Sequence, residues 1–158
     1  VNRPVTGIAL NEEESIFAIL KVPDNPGVAG DLFTKLAEAS INVDMIIQSV
    51  EENKINNITF TINRSALEEA EAITKIVAKE IGAEGIRRDE KIAKISIVGV
   101  GMISKPGIAA RMFKVLGEHN INLHLISTSE IKISCAIDLK DGKTALQLLH
   151  KEFDLDKL

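Results

Sequence analysis

Two stretches of this sequence repeat each other: "DNPGVAGDLFTKLAEASIN" occupies residues 24–42, and "SKPGIAARMFKVLGEHNIN" occupies residues 104–122. The Pro-Gly pair at the start of the first stretch recurs 80 residues later in the second. Positions identical in both copies include Pro26, Gly27, Ala29, Phe33, Leu36, Glu38, Ile41 and Asn42. Two copies indicate a tandem of small domains, because a solenoid needs more copies and a shorter period.

The first copy predicts the element order βαββαβ. Short β-branched apolar runs indicate strands, and they lie at residues 15–22, 41–50, 58–62 and, in a more charged form, 84–94. We expect the first helix to be capped by Asp24 or Asn25, with Pro26 at its first helical position. The second helix should start at Ser65 and end at Gly82. The acidic run at residues 11–15 is expected to form an exposed turn.

The second copy is one strand short. Its strands are predicted at residues 93–100, 121–128 and 130–139, with helices starting at Pro106 and spanning 142–153. A strand-like segment at 5–10, "VTGIAL", precedes the first copy and has no place in it. Because a missing edge strand leaves backbone groups unpaired, we expect this segment to complete the second sheet.

These patterns together predict an α+β fold of two tandem ferredoxin-like βαββαβ domains, each an antiparallel sheet covered on one face by helices. The predicted domains are residues 11–92 and residues 93–158 plus the strand 5–10.

Composition disfavours several classes of protein. The formal net charge is −4, and the aromatic residues, 3% of the chain, are all Phe. Nucleic-acid binders usually carry a basic face and stacking aromatics, so we expect no nucleic-acid partner. No run approaches the ~20 apolar residues of a membrane helix, and the N-terminus lacks a signal-peptide layout. A single cysteine, Cys135, cannot form an internal disulfide, which favours the cytoplasm.

The sequence contains no recognised catalytic or metal-binding motif. HExxH, CxxC, GxSxG and GxxxxGK[ST] are all absent. The segment "GVGMIS" at 99–104 lacks the third glycine of a dinucleotide loop, so we interpret it as a tight strand-to-helix turn. The histidines His119, His124 and His150 show no metal-ligand spacing. We therefore predict no catalytic residue, no metal and no cofactor in this chain, and leave open whether it belongs to an enzyme.

The start of the first predicted helix, residues 24–29, is the candidate binding site. A helix N-terminus presents unpaired N–H groups and a positive dipole end that suit a carboxylate. Gly27 has no side chain to obstruct a ligand, and Asp24 could receive an ammonium group; the two together describe a free amino acid. Alternatively, Asp24 or Asn25 only caps the helix and Gly27 only packs. The second copy has Ser104 and Lys105 in place of Asp24 and Asn25, and so loses the acid.

Residues 23–50 and 99–137, preceded by "VTGIAL", resemble the tandem ACT domains of aspartate kinases, and "ISTSEIKIS" at 126–134 is the most specific part. The resemblance implies an allosteric region that binds the end products threonine and/or lysine and inhibits the phosphorylation of aspartate, the committed step toward lysine, threonine and methionine. The catalytic domain of that family is not in this sequence, which suggests a small regulatory subunit or a fragment. The implied protein partner is an aspartate kinase catalytic domain or subunit.

The resemblance also implies a homodimer in which the first ACT domain of one chain pairs with the second of another, with the effector at the seam. Carried onto this sequence, the effector-binding residues would be Asp24, Asn25, Pro26, Gly27, Val28, Ala29 and Gln48 on one side and Asn120, Ile121, Asn122 and Leu123 on the other. Weaker candidates are Ser127, Thr128, Ser129 and Glu130, which could instead form only a strand turn.

Three alternatives stay open at this point. The small regulatory subunit of acetolactate synthase also carries an ACT domain and responds to valine. An enzyme on a ferredoxin-like fold, such as acylphosphatase, would need a catalytic arginine on an anion loop, and none of Arg64, Arg87, Arg88 and Arg111 lies on one. An RNA-binding module is disfavoured by acidity and by the absence of Tyr and Trp.

Overall fold

A computed structural model describes residues 3–23, 25–51 and 55–155 of the chain. The strands are β1 (Gly7–Pro23), β2 (Val43–Glu51), β3 (Ile55–Asn63), β4 (Gly85–Val98), β5 (Leu123–Thr128) and β6 (Lys132–Asp138). The helices are α1 (Val28–Glu38), α2 (Leu67–Glu80), α3 (Ile108–Glu118) and α4 (Gly142–Glu152). Short 3₁₀ turns occupy Arg64–Ala66, Val100–Ser104 and Leu139–Asp141. None of the described helices is both long and apolar enough to cross a membrane.

The chain divides into two compact units. The first unit comprises residues 13–91, and the second unit comprises residues 1–12 together with 92–158. Strands β1 and β4 are long enough that each contributes residues to both units. The predicted domain bounds, 11–92 and 93–158 with 5–10, stay a prediction.

In the first unit the strand order is β2-β3-β1-β4. Strand β3 pairs antiparallel with both β1 and β2. Helices α1 and α2 cover one face and bury apolar side chains that alternate along the strands, which is the periodicity of a half-covered sheet. Phe60 lies at the centre of this core, with its ring 5.8 Å from that of Phe17 and 5.6 Å from that of Phe33.

In the second unit the order is β1-β4-β6-β5, so the N-terminal part of β1 takes the position of the missing fourth strand. The backbone N–H of Thr6 donates to the carbonyl of Val98 at 2.8 Å, and Val5 is buried in the core of this unit. Each unit therefore has the antiparallel, ferredoxin-like βαββαβ arrangement, and the predicted fold class is confirmed.

The structure confirms the turn predicted at 99–104, and the glycines of "GVG" have a further role there. A Cβ atom at Gly99 would lie 1.9 Å from the carbonyl oxygen of Pro4, and one at Gly101 would lie 2.9 Å from the Pro4 Cα. These glycines admit the N-terminal segment against the end of β4, and the turn itself is the 3₁₀ segment Val100–Ser104. The sequence could not show this contact because its partners lie about a hundred residues apart.

The acidic run at residues 11–15 is not a turn; it lies within the continuous strand β1, and the prediction was wrong. Glu14 is only 3% exposed and Ser15 is fully buried. The Ser15 hydroxyl donates to the Glu90 carbonyl at 2.6 Å, and the Arg64 guanidinium donates to the carbonyls of both Glu14 and Glu90. Because side chains from distant elements supply these hydrogen bonds, polar residues can continue the strand here.

Three predicted helix starts are also corrected. Helix α3 begins at Ile108 with Gly107 as its N-cap, and not at Pro106. Helix α1 begins at Val28 with Gly27 as its N-cap, so Pro26 precedes the helix. Ser65 does not cap the second helix; the Asn63 side chain accepts from the Ser65 N–H at 2.9 Å and caps the 3₁₀ turn before α2. Gly82, with φ 75°, ends α2 as predicted.

Candidate functional site

A cavity of about 340 Å³ lies within the first unit, beside the start of α1. Its walls come from the end of β1, the turn before α1, the first helical residues, and the facing strands β2 and β3. The lining residues are Val22, Pro23, Asn25, Pro26, Gly27, Val28, Ala29, Gly30, Gln48, Asn56 and Ile58. Gln48 pairs with Ile58, and Val22 pairs with Asn56, in the ladder registers. These residues therefore face the helix side of the sheet. Val22, Asn56 and Ile58 are buried and form the floor of the cavity, and Gln48 lies at its rim.

The turn that enters the cavity is a type II β-turn spanning Asn25–Val28. Gly27 has φ 92° and ψ −11°, close to the third position of a type II turn, which favours glycine. The Val28 N–H donates to the Asn25 carbonyl at 3.4 Å. Proline suits the second position because its φ is already fixed. The Pro-Gly pair thus turns the chain sharply into α1. Both residues recur in the second copy, where Gly107 has the same φ as Gly27.

The first turn of α1 offers backbone donors to the cavity. The N–H groups of the first helical residues have no intrahelical acceptor. Among the described residues no side chain caps α1 at Gly27. Ala29 and Gly30 both line the cavity, so their N–H groups and the positive end of the helix dipole are available to an anion.

Two polar side chains, those of Gln48 and Asn56, line the cavity beside its apolar residues. Gln48 is exposed on β2, at the rim, whereas Asn56 on β3 is only 2% exposed. The sequence alone does not reveal Asn56, because "NKINN" at residues 53–57 has the composition of a polar turn. The register shows instead that Asn56 belongs to β3 and faces the same side as Ile58. A buried amide beside Val22 and Ile58 can form a directional contact where the rest of the floor is apolar.

The structure places the predicted site residues in two groups. Asn25, Pro26, Gly27, Val28, Ala29 and Gln48 line the one cavity, and Asp24 lies outside the described residues. The other group is in the second unit: Asn120 follows α3 with φ 58°, Ile121 is buried in the core, Asn122 is exposed and Leu123 begins β5. The weaker candidates Ser127–Glu130 form the end of β5 and its hairpin to β6.

Comparison with known proteins assigns the family. The profile described as "ACT domain" matches residues 20–75 and 95–153. The regulatory subunit of aspartate kinase from Thermus thermophilus, in its ligand-free form, superposes with a TM-score of 0.88 at 38% identity, covering 96% of this chain and 99% of that one. A chain in a crystal structure of aspartokinase α and β subunits superposes with a TM-score of 0.87 at 41% identity, with 95% and 99% covered.

The chain belongs to the ACT domain family, among aspartate kinase regulatory regions. The aspartate kinase of Pseudomonas fluorescens is 47% identical over 152 residues, which are 96% of this chain and 37% of that protein. The chain thus spans little more than a third of the length of such curated relatives, while it matches solved regulatory subunits almost end to end.

The second ACT copy differs at the loop that corresponds to the cavity turn. Gly107 keeps the same backbone conformation as Gly27, with φ 92°. However, the chain between β4 and α3 forms the 3₁₀ turn Val100–Ser104, and Met102 from this turn is buried in the core of the second unit. The connection that leaves a cavity in the first copy therefore contributes a side chain to the core in the second.

His124 and Cys135, both in the second unit, have ordinary structural roles. The His124 Nε2 atom lies 2.7 Å from Asp138 Oδ1 on the neighbouring strand, a carboxylate partner that sequence spacing did not reveal. Cys135 is fully buried in β6, and burial raises the pKa of its thiol to about 12. Such a thiol stays protonated at neutral pH and is not a nucleophile.

Proposed function

We propose that this chain is the regulatory region of an aspartate kinase and that the cavity beside α1 binds a free amino acid, with threonine as the preferred effector. The observation that carries the proposal is the cavity itself. The cavity is lined by the turn Asn25–Gly27, by the N-terminus of α1 and by the side chains of Gln48 and Asn56.

The cavity has a suitable group for each part of an amino acid. The N–H groups of Ala29 and Gly30 suit the carboxylate, because a helix N-terminus attracts negative charge. The Gln48 side-chain carbonyl at the rim suits the ammonium group. Asp24, which lies outside the described residues, is the acid that the sequence offers for the same group. The effector's side chain then points to the floor, where Asn56 offers an amide between Val22 and Ile58.

The floor favours threonine over lysine. Threonine carries a hydroxyl and a methyl group on one carbon, which match an amide bordered by apolar side chains. Among the described residues that line the cavity there is no acidic side chain. The distal ammonium of lysine would therefore lose hydration without meeting an opposite charge, which is costly. Valine has no hydroxyl group that could contact the Asn56 amide.

The proposal includes pairing with a second copy of the chain. Strands β2 and β5 each end the described strand order of their units, and an edge strand is a ready surface for association. Both expose an isoleucine at the same repeat position: Ile46 is 53% exposed and Ile126 is 42% exposed. We propose that the first unit of one chain meets the second unit of its partner at these edges, which would bring the partner's Asn120–Leu123 to the cavity.

Regulation follows if the effector prefers one arrangement of the paired regions. A ligand shifts an equilibrium only by its difference in affinity between the two states. Threonine held at a seam between two chains would stabilise the arrangement in which the seam is closed. We propose that this arrangement holds the catalytic domain or subunit in a state of low activity toward aspartate.

Isothermal titration of the full 158-residue chain with threonine, lysine and valine tests the proposal, alongside the solution mass with and without each ligand. We expect saturable threonine binding to a dimer, and lysine binding weaker by about tenfold or more, which corresponds to about 1.4 kcal/mol. Exclusive binding of valine would instead support the acetolactate synthase alternative. A monomer that binds none of the three would overturn the proposed function.

A further inference from the structure

A β-bulge in β1 lies at the edge of the cavity. Ile19 pairs with Ile58 and Val22 pairs with Asn56, so two residues of β1, Leu20 and Lys21, stand opposite the single residue Asn57 of β3. Lys21 has φ 52°, in the left-handed region that a non-glycine residue rarely occupies. Bulges redirect side chains and are frequent beside functional sites.

The bulge decides which side chain reaches the cavity. Side chains alternate between the two faces of a strand, so a shift of one residue exchanges the faces. Ile19 is buried on the helix side, and simple alternation from it would place Lys21 on that side and Val22 on the other. With the extra residue, Val22 is buried on the helix side and lines the cavity, while Lys21 is exposed.

The bulge is held by contacts with β3 and with the residue that precedes β4. The Lys21 N–H donates to the Asn57 side-chain oxygen Oδ1 at 2.9 Å. On the other side, the Glu84 N–H donates to the Leu20 carbonyl at 3.0 Å. The Lys21 ammonium also lies 2.9 Å from the Glu84 carboxylate, but both side chains are more than half exposed, and exposed ion pairs contribute little. The backbone contacts are therefore the main restraint.

We propose that Asn57 and the left-handed conformation of Lys21 are positioning elements for the effector cavity: they lock the bulge that turns Val22 and Pro23 toward the start of α1. Neither residue lines the cavity, and neither side chain is assigned a contact with the effector. The inference rests on the proposed function only for its affinity readout, because the position of Val22 can be observed without a ligand.

Two pairs of variants separate backbone conformation from side-chain chemistry. Lys21→Gly and Lys21→Val both remove the ion pair with Glu84, but glycine accepts a positive φ and β-branched valine does not. Asn57→Asp keeps a side-chain oxygen as acceptor, whereas Asn57→Leu removes it. We expect Lys21→Gly and Asn57→Asp to keep the threonine Kd within about twofold, and Lys21→Val and Asn57→Leu to raise it by about tenfold.

A second readout covers variants that bind poorly for other reasons. Thermal unfolding of each variant reports whether it folds, and the NMR contact between the side chains of Val22 and Asn56 reports the bulge. That contact should persist in Lys21→Gly and Asn57→Asp and be lost in Lys21→Val and Asn57→Leu. Equal Kd values and retained contacts in all four folded variants would overturn the inference. A wild-type chain that shows the contact but binds no threonine would overturn the proposed function alone.

Discussion

At the scale of single residues, the candidate site depends on the Pro-Gly turn, on the buried amide of Asn56 and on Gln48 at the rim. The Pro-Gly turn is visible in the sequence because two residue types with special backbone preferences repeat 80 positions apart. Asn56 is not visible, because its burial depends on the register of β3 against β1 and β2. The family resemblance indicated Gln48 as a site residue. Its place at the cavity rim gives it a physical role that residue spacing alone did not provide.

Gln48→Leu should weaken threonine binding without unfolding the chain. The leucine fills a similar volume but cannot accept or donate a hydrogen bond. One hydrogen bond is worth about 0.5–1.5 kcal/mol, or roughly twofold to twelvefold in Kd. Titration calorimetry measures the change. Ser49→Ala is the matched control, because Ser49 is exposed on the same strand and points to the opposite face of the sheet. Equal losses in both variants would argue against a contact at Gln48.

A glycine pair tests the packing of the N-terminal segment. Gly99→Ala should lower the free energy of unfolding by about 1–3 kcal/mol, as overpacking does, because the added Cβ would meet the Pro4 carbonyl. Gly117→Ala, within α3, meets nothing within 4 Å and should raise stability by about 0.5–1 kcal/mol. Denaturant unfolding distinguishes them. A neutral Gly99→Ala would mean that Pro4 does not rest on Gly99 in solution.

At the scale of elements, the type and the order of the helices and strands could be predicted from the sequence. The residues at which they begin, and how far each strand continues, were predicted less well. Apolar periodicity identified each strand and helix, since burial on one face dominates those positions. The errors lie where tertiary hydrogen bonds override local preference. The acidic run continues β1 because Ser15 and Arg64 contact Glu90. The bulge, which changes the face of the sheet that Val22 occupies, depends on a hydrogen bond from Lys21 to Asn57, 36 positions away. Neither partner could be assigned from one sequence.

The repeated turn provides an internal control at this scale. Gly27 and Gly107 share a φ of 92°, and a Cβ at either would meet nothing within 4 Å. Replacing either with alanine should therefore cost about 1–2 kcal/mol of stability from backbone strain alone. Only Gly27→Ala should also raise the threonine Kd, because the proposed effector cavity lies at the first of the two turns. Loss of binding in Gly107→Ala alone would place the effector at the second helix start.

At the scale of the whole molecule, the N-terminal segment belongs with residues far along the chain. Deleting residues 1–10 removes Val5 from the core of the second unit and the hydrogen bond from Thr6 to Val98. Amide exchange should then accelerate mainly in β4 after Ile92, β6 and α4, while α1, α2 and β3 keep their protection. Equal acceleration in both units would contradict the assignment of this segment to the second.

The most direct test of the account is an amide NMR titration of the full, ¹⁵N-labelled chain with threonine. The account predicts saturable shifts centred on Ala29, Gly30, Gln48 and Asn56, with smaller shifts at residues 120–123 if the dimer closes over the cavity. The helix start at Ala109 and Ala110, which follows the 3₁₀ turn that buries Met102, should not respond on its own. Shifts confined to that second helix start, or none at saturating threonine, would contradict an effector site in the first ACT copy.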